Sequence, residues 1–349
     1  MGLLRLYFAL AVLMGHLQVN GFISPTYAVQ GFYIISGFYM SFILNEKYNH
    51  PALNLTFYKK RFVRLLPTYW LIAFFSLAIA LFYYYKSESS ILFFDFIHIP
   101  ANTSLFTWIY IIVSNIIIWG QDLALFLCIS PEDGELSFST LSFAETFPLI
   151  RFMLVPVAWS VSTEFTFYFS APFILRNRKK TIVVLFVLSA ISNIVTNYYG
   201  LNNSNWRFRF FPSVLLFFLA GHFAYLLYKK VSKYHITINH RYFLSFLSIF
   251  VLTAILNLDI SFMLNMFLIV LFGIIILPLS FHAYKYDTID RTIGEMSYPL
   301  YLIHPLFIGI NDIAGINNVW FVIATSLLGA FLCYRFYILP IEKFRSKIV

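Results

Sequence analysis

Two ionisable residues lie within the first apolar stretch of the chain, which runs from Leu3 to about Val19. Arg5 and His16 are eleven residues apart, so in an α-helix they share one face, separated by a rise of about 16 Å. Ionisable groups inside an apolar span are costly and mark functional sites. An imidazole can take a proton as a general base or act as a nucleophile. We expect Arg5 at the cytoplasmic edge of the membrane and His16 near mid-membrane. A snorkelling arginine and a hydrogen-bonded core histidine would explain the same two residues.

A second polar cluster is the segment Trp159-Ser-Val-Ser-Thr-Glu164-Phe-Thr-Phe-Tyr168. Ser160, Glu164 and Tyr168 share a helical face at positions i, i+4 and i+8. A buried carboxylate needs a partner, and His16 or an arginine would serve. Glu164 could then orient an imidazole and stabilise its charged form, as the carboxylate of a catalytic triad does.

A third cluster is Ser297-Tyr-Pro-Leu-Tyr301-Leu-Ile-His304-Pro305. Tyr301 and His304 are helical neighbours at i and i+3, and Pro305 bends the helix beside them. As polar residues inside an apolar span, these two are candidates for a functional site. A packed kink with a hydrogen-bonded histidine explains the same residues.

Two further segments suit the binding of a ligand. Gly31-Phe-Tyr-Ile-Ile-Ser36-Gly37 holds small residues that allow close backbone approach, by a ligand or equally by another helix. The basic segment that precedes Leu65-Leu-Pro suits phosphate groups, although orientation in the membrane would also account for it. Its relevant members are Lys60, Arg61 and Arg64.

The elements that must position these residues are apolar runs near the length that crosses a bilayer, about 20 residues. Hydrophobic residues make up 60% of the 349-residue chain and charged residues 11%, which excludes a soluble enzyme, a disordered chain and a coiled coil. We predict one all-α membrane domain over residues 1–349, a bundle of transmembrane helices. The candidate spans are 3–20, 28–45, 66–85, 105–128, 157–175, 181–199, 208–228, 242–258, 261–281, 296–313 and 317–338.

The basic residues predict the orientation of these spans. Five segments, within 47–64, 176–180, 229–241, 285–291 and 343–347, hold 18 of the 24 basic residues. Placing all five in the cytoplasm satisfies the positive-inside rule, so the net charge of +9 does not indicate nucleic acid. Residues 86–156 hold seven of the fifteen acidic residues, Glu88 and Asp95 among them, and are predicted to be external.

The weak segment 105–128 is interrupted by Asn115, Gly120, Gln121 and Asp122. The basic segments before and after this region are both predicted to be cytoplasmic, so an even number of crossings must separate them. Because three candidate spans lie between them, the segment 105–128 must be re-entrant or cross twice. We therefore expect about ten full spans with both termini in the cytoplasm. Cys128 and Cys333 stand alone in apolar runs, and no metal-ligand spacing is present, so we expect no disulfide and no metal.

Taken together and in order, these segments resemble the acyltransferase-3 family of bacterial integral-membrane O-acyltransferases. Each of these motifs is weak alone, but six of them in the right order, spread from residue 5 to residue 304, make a strong resemblance. The matching elements are Arg5-x10-His16, Phe32 to Phe38, Arg61-x-x-Arg64, Trp159 to Glu164 with Phe167-Tyr168 and Pro172, Arg209 with Phe218-x-x-Gly221, and Ser297-Tyr to His304. The family often has an acidic pair where this chain has Glu164 alone, and no fused SGNH esterase-like domain is expected.

The resemblance implies transfer of an acyl group, usually acetyl, from cytoplasmic acetyl-CoA to a hydroxyl of a surface polysaccharide such as lipopolysaccharide O-antigen. It implies a bacterial inner-membrane enzyme whose partners are the bilayer, acyl-CoA and a saccharide acceptor, and it is compatible with a homo-oligomer. The implied roles are catalytic for His16, Glu164 and Arg5, donor-binding for Arg61, Arg64, Lys60 and Ser36, and acceptor-binding for Tyr168, Arg209, Tyr301 and His304.

Two alternatives remain at the level of sequence. The acceptor could be a macrolide, a peptidoglycan sugar or another small molecule. Alternatively, intramembrane His, Glu and Arg also mark the paths of small-solute transporters, although the paired halves common in transporters are not visible here.

Overall fold

The computed structural model describes residues 1–87, 98–140, 145, 147–176, 179–201, 204–233, 241–316 and 318–348. Arg178, Glu88 and Asp95, which belong to the charge pattern above, lie outside these residues. Most of the described chain is helical. The α-helices are α1 (Gly2–His16), α2 (Pro25–Glu46), α3 (Asn54–Ser87), α4 (Leu105–Ile117), α5 (Trp159–Ile174), α6 (Lys179–Tyr198), α7 (Ser204–Phe208), α8 (Phe211–Val231), α9 (Arg241–Leu256), α10 (Phe262–Tyr284), α11 (Thr288–Ile313), α12 (Val319–Cys333) and α13 (Leu339–Ser346).

Each of the eleven predicted apolar runs overlaps one of these helices, which confirms an all-α polytopic membrane protein. Within the described residues, six helical segments are long and apolar enough to cross a membrane. Three shorter apolar helices are α1, α4 and α9. The six segments are Pro25–Glu46, Pro51–Lys86, Lys179–Tyr198, Asn205–Val231, Phe262–Tyr284 and Val319–Ser346. The count of about ten spans stays a prediction.

The predicted segment 105–128 is helical only in its first half. Helix α4 has 13 residues, about 20 Å, which is too short to cross a hydrocarbon core of about 30 Å. Ile118 and Gly120 then adopt positive φ angles of 66° and 99°, which end the helix. The chain continues as a short antiparallel hairpin of β1 (Leu127–Ile129) and β2 (Leu136–Phe138). A second helical crossing in this segment is therefore wrong, and a re-entrant segment stays the prediction.

The chain divides into two compact units. Unit 1 comprises Met1–Phe57, Phe167–Gly200 and Phe211–Tyr301, and unit 2 comprises Tyr58–Thr166, Leu201–Phe210 and Leu302–Val349. One membrane domain over residues 1–349 stays a prediction.

Unit 1 is built on close helix crossings at small residues. A Cβ atom added to Gly37 of α2 would lie 1.9 Å from the Phe218 carbonyl oxygen of α8, and one added to Gly221 would lie 2.1 Å from the Ile34 carbonyl oxygen. Only glycine fits at such a crossing. A Cβ on Gly31 would lie 2.3 Å from the Phe8 ring of α1. The small residues of this segment therefore serve helix packing.

In unit 2, the turn that follows α4 is fixed by side-chain hydrogen bonds. The Gln121 amide donates to the Tyr69 hydroxyl at 3.0 Å, and that hydroxyl donates to the Asn115 carbonyl at 2.8 Å. The Ser162 hydroxyl of α5 accepts the Gly120 N–H at 2.9 Å. Because irregular backbone inside a membrane must be satisfied by protein groups, these bonds allow the turn to persist where α4 ends.

Candidate active site

Arg5 and His16 lie on one unbroken helix, α1, so their spacing of three turns is preserved. Arg5 is half-buried, and Ala9 and Val12, which separate the two on that face, are 0% and 2% exposed. His16 is the last residue of the helix and is exposed.

The expectation that the first helix continues to residue 20 is wrong. Gln18 and Gly21 have positive φ angles of 57° and 97°, which break the helical backbone soon after His16. The helix has 15 residues, or about 22 Å, which is shorter than the hydrocarbon core of about 30 Å. His16 therefore lies at the end of a short helix, so helical backbone precedes it but does not follow it.

Two predicted residues meet in unit 1. The hydroxyls of Ser36 on α2 and Tyr168 on α5 are hydrogen-bonded at 2.7 Å, and both residues are buried. Aromatic packing fixes the tyrosine segment, because Phe167 stacks on Phe218 of α8 with ring centroids 4.2 Å apart. The structure thus links the donor-binding candidate Ser36 to the acceptor-binding candidate Tyr168.

Tyr301 also belongs to unit 1. It is buried, and its ring meets that of Phe32 on α2 edge-to-face with centroids 5.9 Å apart. Phe32 in turn meets Phe8 of α1 at 5.7 Å. The motif segments of α1, α2 and α11 are therefore joined through three aromatic rings.

In unit 2, the basic segment of α3 lies beside the Glu164 segment of α5. The ring of Phe62, between Arg61 and Arg64, stacks on that of Phe165 with centroids 5.4 Å apart and an interplanar angle of 24°. Lys60, Arg61, Arg64 and Glu164 are all half-buried. Cationic and acidic candidates that are about 100 residues apart in sequence thus belong to neighbouring helical segments.

Arg209 is fixed by an aromatic face and an amide. Its guanidinium carbon lies 4.9 Å from the Trp159 ring centroid, within the range of a cation–π interaction. Its Nη1 donates to Asn205 Oδ1 at 2.9 Å, and the Asn205 amide donates to the Leu125 carbonyl at 2.6 Å. His304 is also in unit 2, on α11, where it is 0% exposed.

Two polar pairs were not predicted from sequence. In unit 2, the Ser162 hydroxyl donates to the buried Asp122 carboxylate at 2.6 Å. In unit 1, Ser41 of α2 and His222 of α8 are buried and hydrogen-bonded at 3.0 Å. Asp122 carried a signal as a charge within an apolar run, but its partner is 40 residues away. His222 directly follows the matched Phe218-x-x-Gly221 element, and nothing in the sequence pairs it with Ser41.

The fold and these polar residues define an α-helical integral membrane protein with ionisable side chains on its apolar helices. The chain belongs to the acyltransferase-3 family: the model of this family, described as an acyltransferase domain, matches residues 1–338. It is therefore a membrane acyltransferase. Comparison with curated proteins finds no match to the chain. Comparison with solved structures also finds none.

Proposed function

We propose that this acyltransferase moves an acetyl group from cytoplasmic acetyl-CoA to a hydroxyl of a surface polysaccharide, such as lipopolysaccharide O-antigen, in a bacterial inner membrane. The observation that carries the proposal is that Arg5 and His16 lie on one face of the continuous helix α1. A rise of about 16 Å between them is comparable to the length of a pantetheine arm. The cation would hold the anionic end of the donor while the imidazole meets the thioester.

Arg61, Arg64 and Lys60 are proposed to bind the phosphates of the donor. Guanidinium groups bind phosphate oxygens with two parallel N–H···O bonds, which an ammonium group cannot reproduce. The positive-inside rule supports a cytoplasmic position for this segment, and cytoplasm is where acyl-CoA is found. No metal is required by this scheme, and acetyl-CoA is a co-substrate.

The chemistry proposed for His16 has two routes. In the first, the imidazole removes the acceptor hydroxyl proton, the oxygen attacks the thioester carbonyl, the C–S bond breaks, and CoA leaves as a thiol after receiving that proton. In the second, an imidazole nitrogen attacks the thioester carbonyl, the C–S bond breaks and CoA leaves as a thiolate. The acceptor oxygen then attacks the acetyl carbonyl, the C–N bond breaks, and the acceptor proton passes to the thiolate. Glu164 is proposed to orient the imidazole and stabilise its charged form. Arg5 is proposed to hold the anionic end of the donor in position.

The acceptor is proposed to contact Arg209, Tyr168, Tyr301 and His304, with Ser36 acting on the thioester side. The support is chemical: the Arg209 guanidinium on the Trp159 face presents a cation and an aromatic surface to an anionic or polyhydroxylated sugar. The Ser36–Tyr168 pair supplies two hydroxyls that can each donate or accept.

The decisive experiment compares surface glycans from wild-type, deletion and complemented cells by mass spectrometry. Loss of 42 Da per modified sugar, about the mass of one acetyl substituent, is expected on deletion and should return on complementation. An assay of CoA release from acetyl-CoA by the purified protein then tests the donor. Unchanged glycans together with an acetylated small molecule, such as a macrolide, would replace the polysaccharide with that acceptor.

A further inference from the structure

A single buried carboxylate joins the first turn of α1 to the first turn of α11 in unit 1. Asp290 is 4% exposed, and its carboxylate accepts the backbone N–H groups of Gly2 at 2.8 Å and Leu3 at 3.0 Å. The first N–H groups of a helix lack partners within the helix. The side chain of Met1, the N-cap residue, makes no capping hydrogen bond. Asp290 therefore caps α1 from a distance of 288 residues in sequence.

The two helices approach too closely for side chains to separate them. A Cβ atom on Gly2 would lie 1.7 Å from the Asp290 carbonyl oxygen, and one on Gly294 would lie 2.9 Å from the Gly2 Cα. The same added atom on Gly294 would lie 3.7 Å from Nη1 of Arg5. The Arg5 guanidinium therefore packs against α11 one turn beyond Asp290.

Asp290 is itself held in place by the turn before α11. Its backbone N–H donates to Asp287 Oδ1 at 3.0 Å. The Asp287 carboxylate also accepts the Tyr242 hydroxyl at 2.7 Å and pairs with Arg241 at 2.8 Å, both from the start of α9. These bonds form a connected path from α9 through the turn to the first turn of α1.

We propose that Asp290 is a positioning residue for Arg5, which holds the first turn of α1 in place so that the guanidinium meets the acyl donor. This inference rests on the proposed donor-binding role of Arg5. The Asp290 carboxylate also pairs with the Met1 ammonium group at 3.0 Å, which adds a further contact at the start of α1.

The test is a steady-state comparison of variants with acetyl-CoA as the varied substrate. Asp290→Ala should raise KM for acetyl-CoA about tenfold and change kcat less than threefold, since the first turn of α1, which carries Arg5, loses its cap while the last turn, which carries His16, keeps its own packing. Asp290→Asn keeps an oxygen that accepts an N–H and should recover part of the loss. In an Arg5→Lys background, Asp290→Ala should add little further change. Additive effects of the two substitutions would overturn the positioning role.

The matched control is Ser189→Ala, which also removes buried hydrogen bonds in unit 1, but between α6 and the start of α8. The Ser189 hydroxyl donates to the Pro212 carbonyl at 2.6 Å and accepts the Leu216 N–H at 2.8 Å. This variant should lose thermal stability without a change in KM for acetyl-CoA. If Asp290→Ala loses folded protein but keeps the wild-type KM for acetyl-CoA, Asp290 is a structural cap only and the positioning role is overturned.

Hydrogen exchange separates this inference from the proposed function. In Asp290→Ala, the backbone amides of the first turn of α1 should exchange at least tenfold faster than in the wild type and in Ser189→Ala. Unchanged exchange there overturns the positioning role whatever the donor is. A wild-type protein that shows this protection but consumes no acetyl-CoA overturns the proposed function and leaves the cap in place.

Discussion

At the scale of single residues, the polar groups of this chain differ in how firmly the surrounding protein fixes them. Ser36 and Tyr168 are buried and bonded to each other, and Arg209 lies between an indole face and an amide. His16, in contrast, is exposed at the end of its helix. An exposed imidazole keeps access to both a donor and an acceptor, which suits the role of proton or acyl carrier better than a packed one.

His16→Ala should abolish acetyl transfer while leaving the amount of protein in the membrane unchanged. The reason is that an exposed side chain contributes little to packing but supplies the only proposed base or acyl carrier. Glycan acetylation by mass spectrometry and membrane protein level by immunoblot check this outcome. His50→Ala is a matched control, since His50 is exposed and accepts the N–H of the nearby Ala52. Full acetylation in His16→Ala cells would sink the mechanism.

At the scale of helices, two features fix the helices of unit 1 against one another. They are the crossing of α2 and α8 and the turn before α11. The crossing depends on glycines that meet backbone atoms, and the turn depends on charged groups that cap a helix. The two kinds of contact respond to different perturbations, so they give separate tests.

Gly37→Ala should destabilise the protein by about 1–3 kcal/mol or more, because its methyl group would overlap the Phe218 carbonyl oxygen. Gly273→Ala is the graded comparison, since its methyl group would meet the Ile34 side chain at 2.8 Å, where a side chain can move. Thermal unfolding in detergent should therefore rank wild type above Gly273→Ala and Gly273→Ala above Gly37→Ala. Equal melting temperatures for both variants would contradict this packing.

The stabilising effect of Asp287 should depend on pH in a defined direction. The backbone N–H of Asp290, the Tyr242 hydroxyl and the Arg241 guanidinium lower the pKa of Asp287 below its ordinary value. A lowered pKa in the folded state gives stability that is fully present above the unfolded value, about 3.9, and that is lost as pH falls through the folded value. The stability difference between wild type and Asp287→Asn should be constant from pH 7 to pH 5 and shrink below pH 4. A difference that grows on acidification would refute this assignment.

At the scale of the whole molecule, apolar helices and their flanking charges determine the arrangement in the membrane. Many of the exposed large side chains are apolar, including Phe74 and Phe82 of α3 and Phe243 and Phe250 of α9. A soluble protein rarely exposes contiguous apolar surface of this kind, whereas lipid solvates it well.

The predicted topology can be tested with single cysteines in a background without Cys128 and Cys333, which are buried and unpaired with each other. A membrane-impermeant maleimide should label Glu132→Cys, at the tip of the hairpin, in intact spheroplasts. It should label Lys233→Cys only after permeabilisation, because basic segments are retained in the cytoplasm. The cysteine-free protein controls for background. Labelling in the reverse order would invert the proposed orientation.

The sequence by itself determined the membrane class, the positions of the helices, the family and the spacing of Arg5 and His16. These properties follow from local composition and from the fixed rise and rotation of a helix. The ends of helices were less predictable: apolar residues continue beyond His16, and only the positive φ angles of Gln18 and Gly21 show where α1 stops.

The tertiary structure alone decided which polar groups meet. Ser36 and Tyr168 are 132 residues apart, and Asp290 and Gly2 are 288 apart. Such pairs depend on which of many similarly apolar helix faces pack together and on small residues that set the distance between backbones. Hydropathy is nearly uniform over these faces, so it cannot specify the partners. A buried serine or aspartate requires a hydrogen-bond partner, and only the packing of the helices decides which group that partner is.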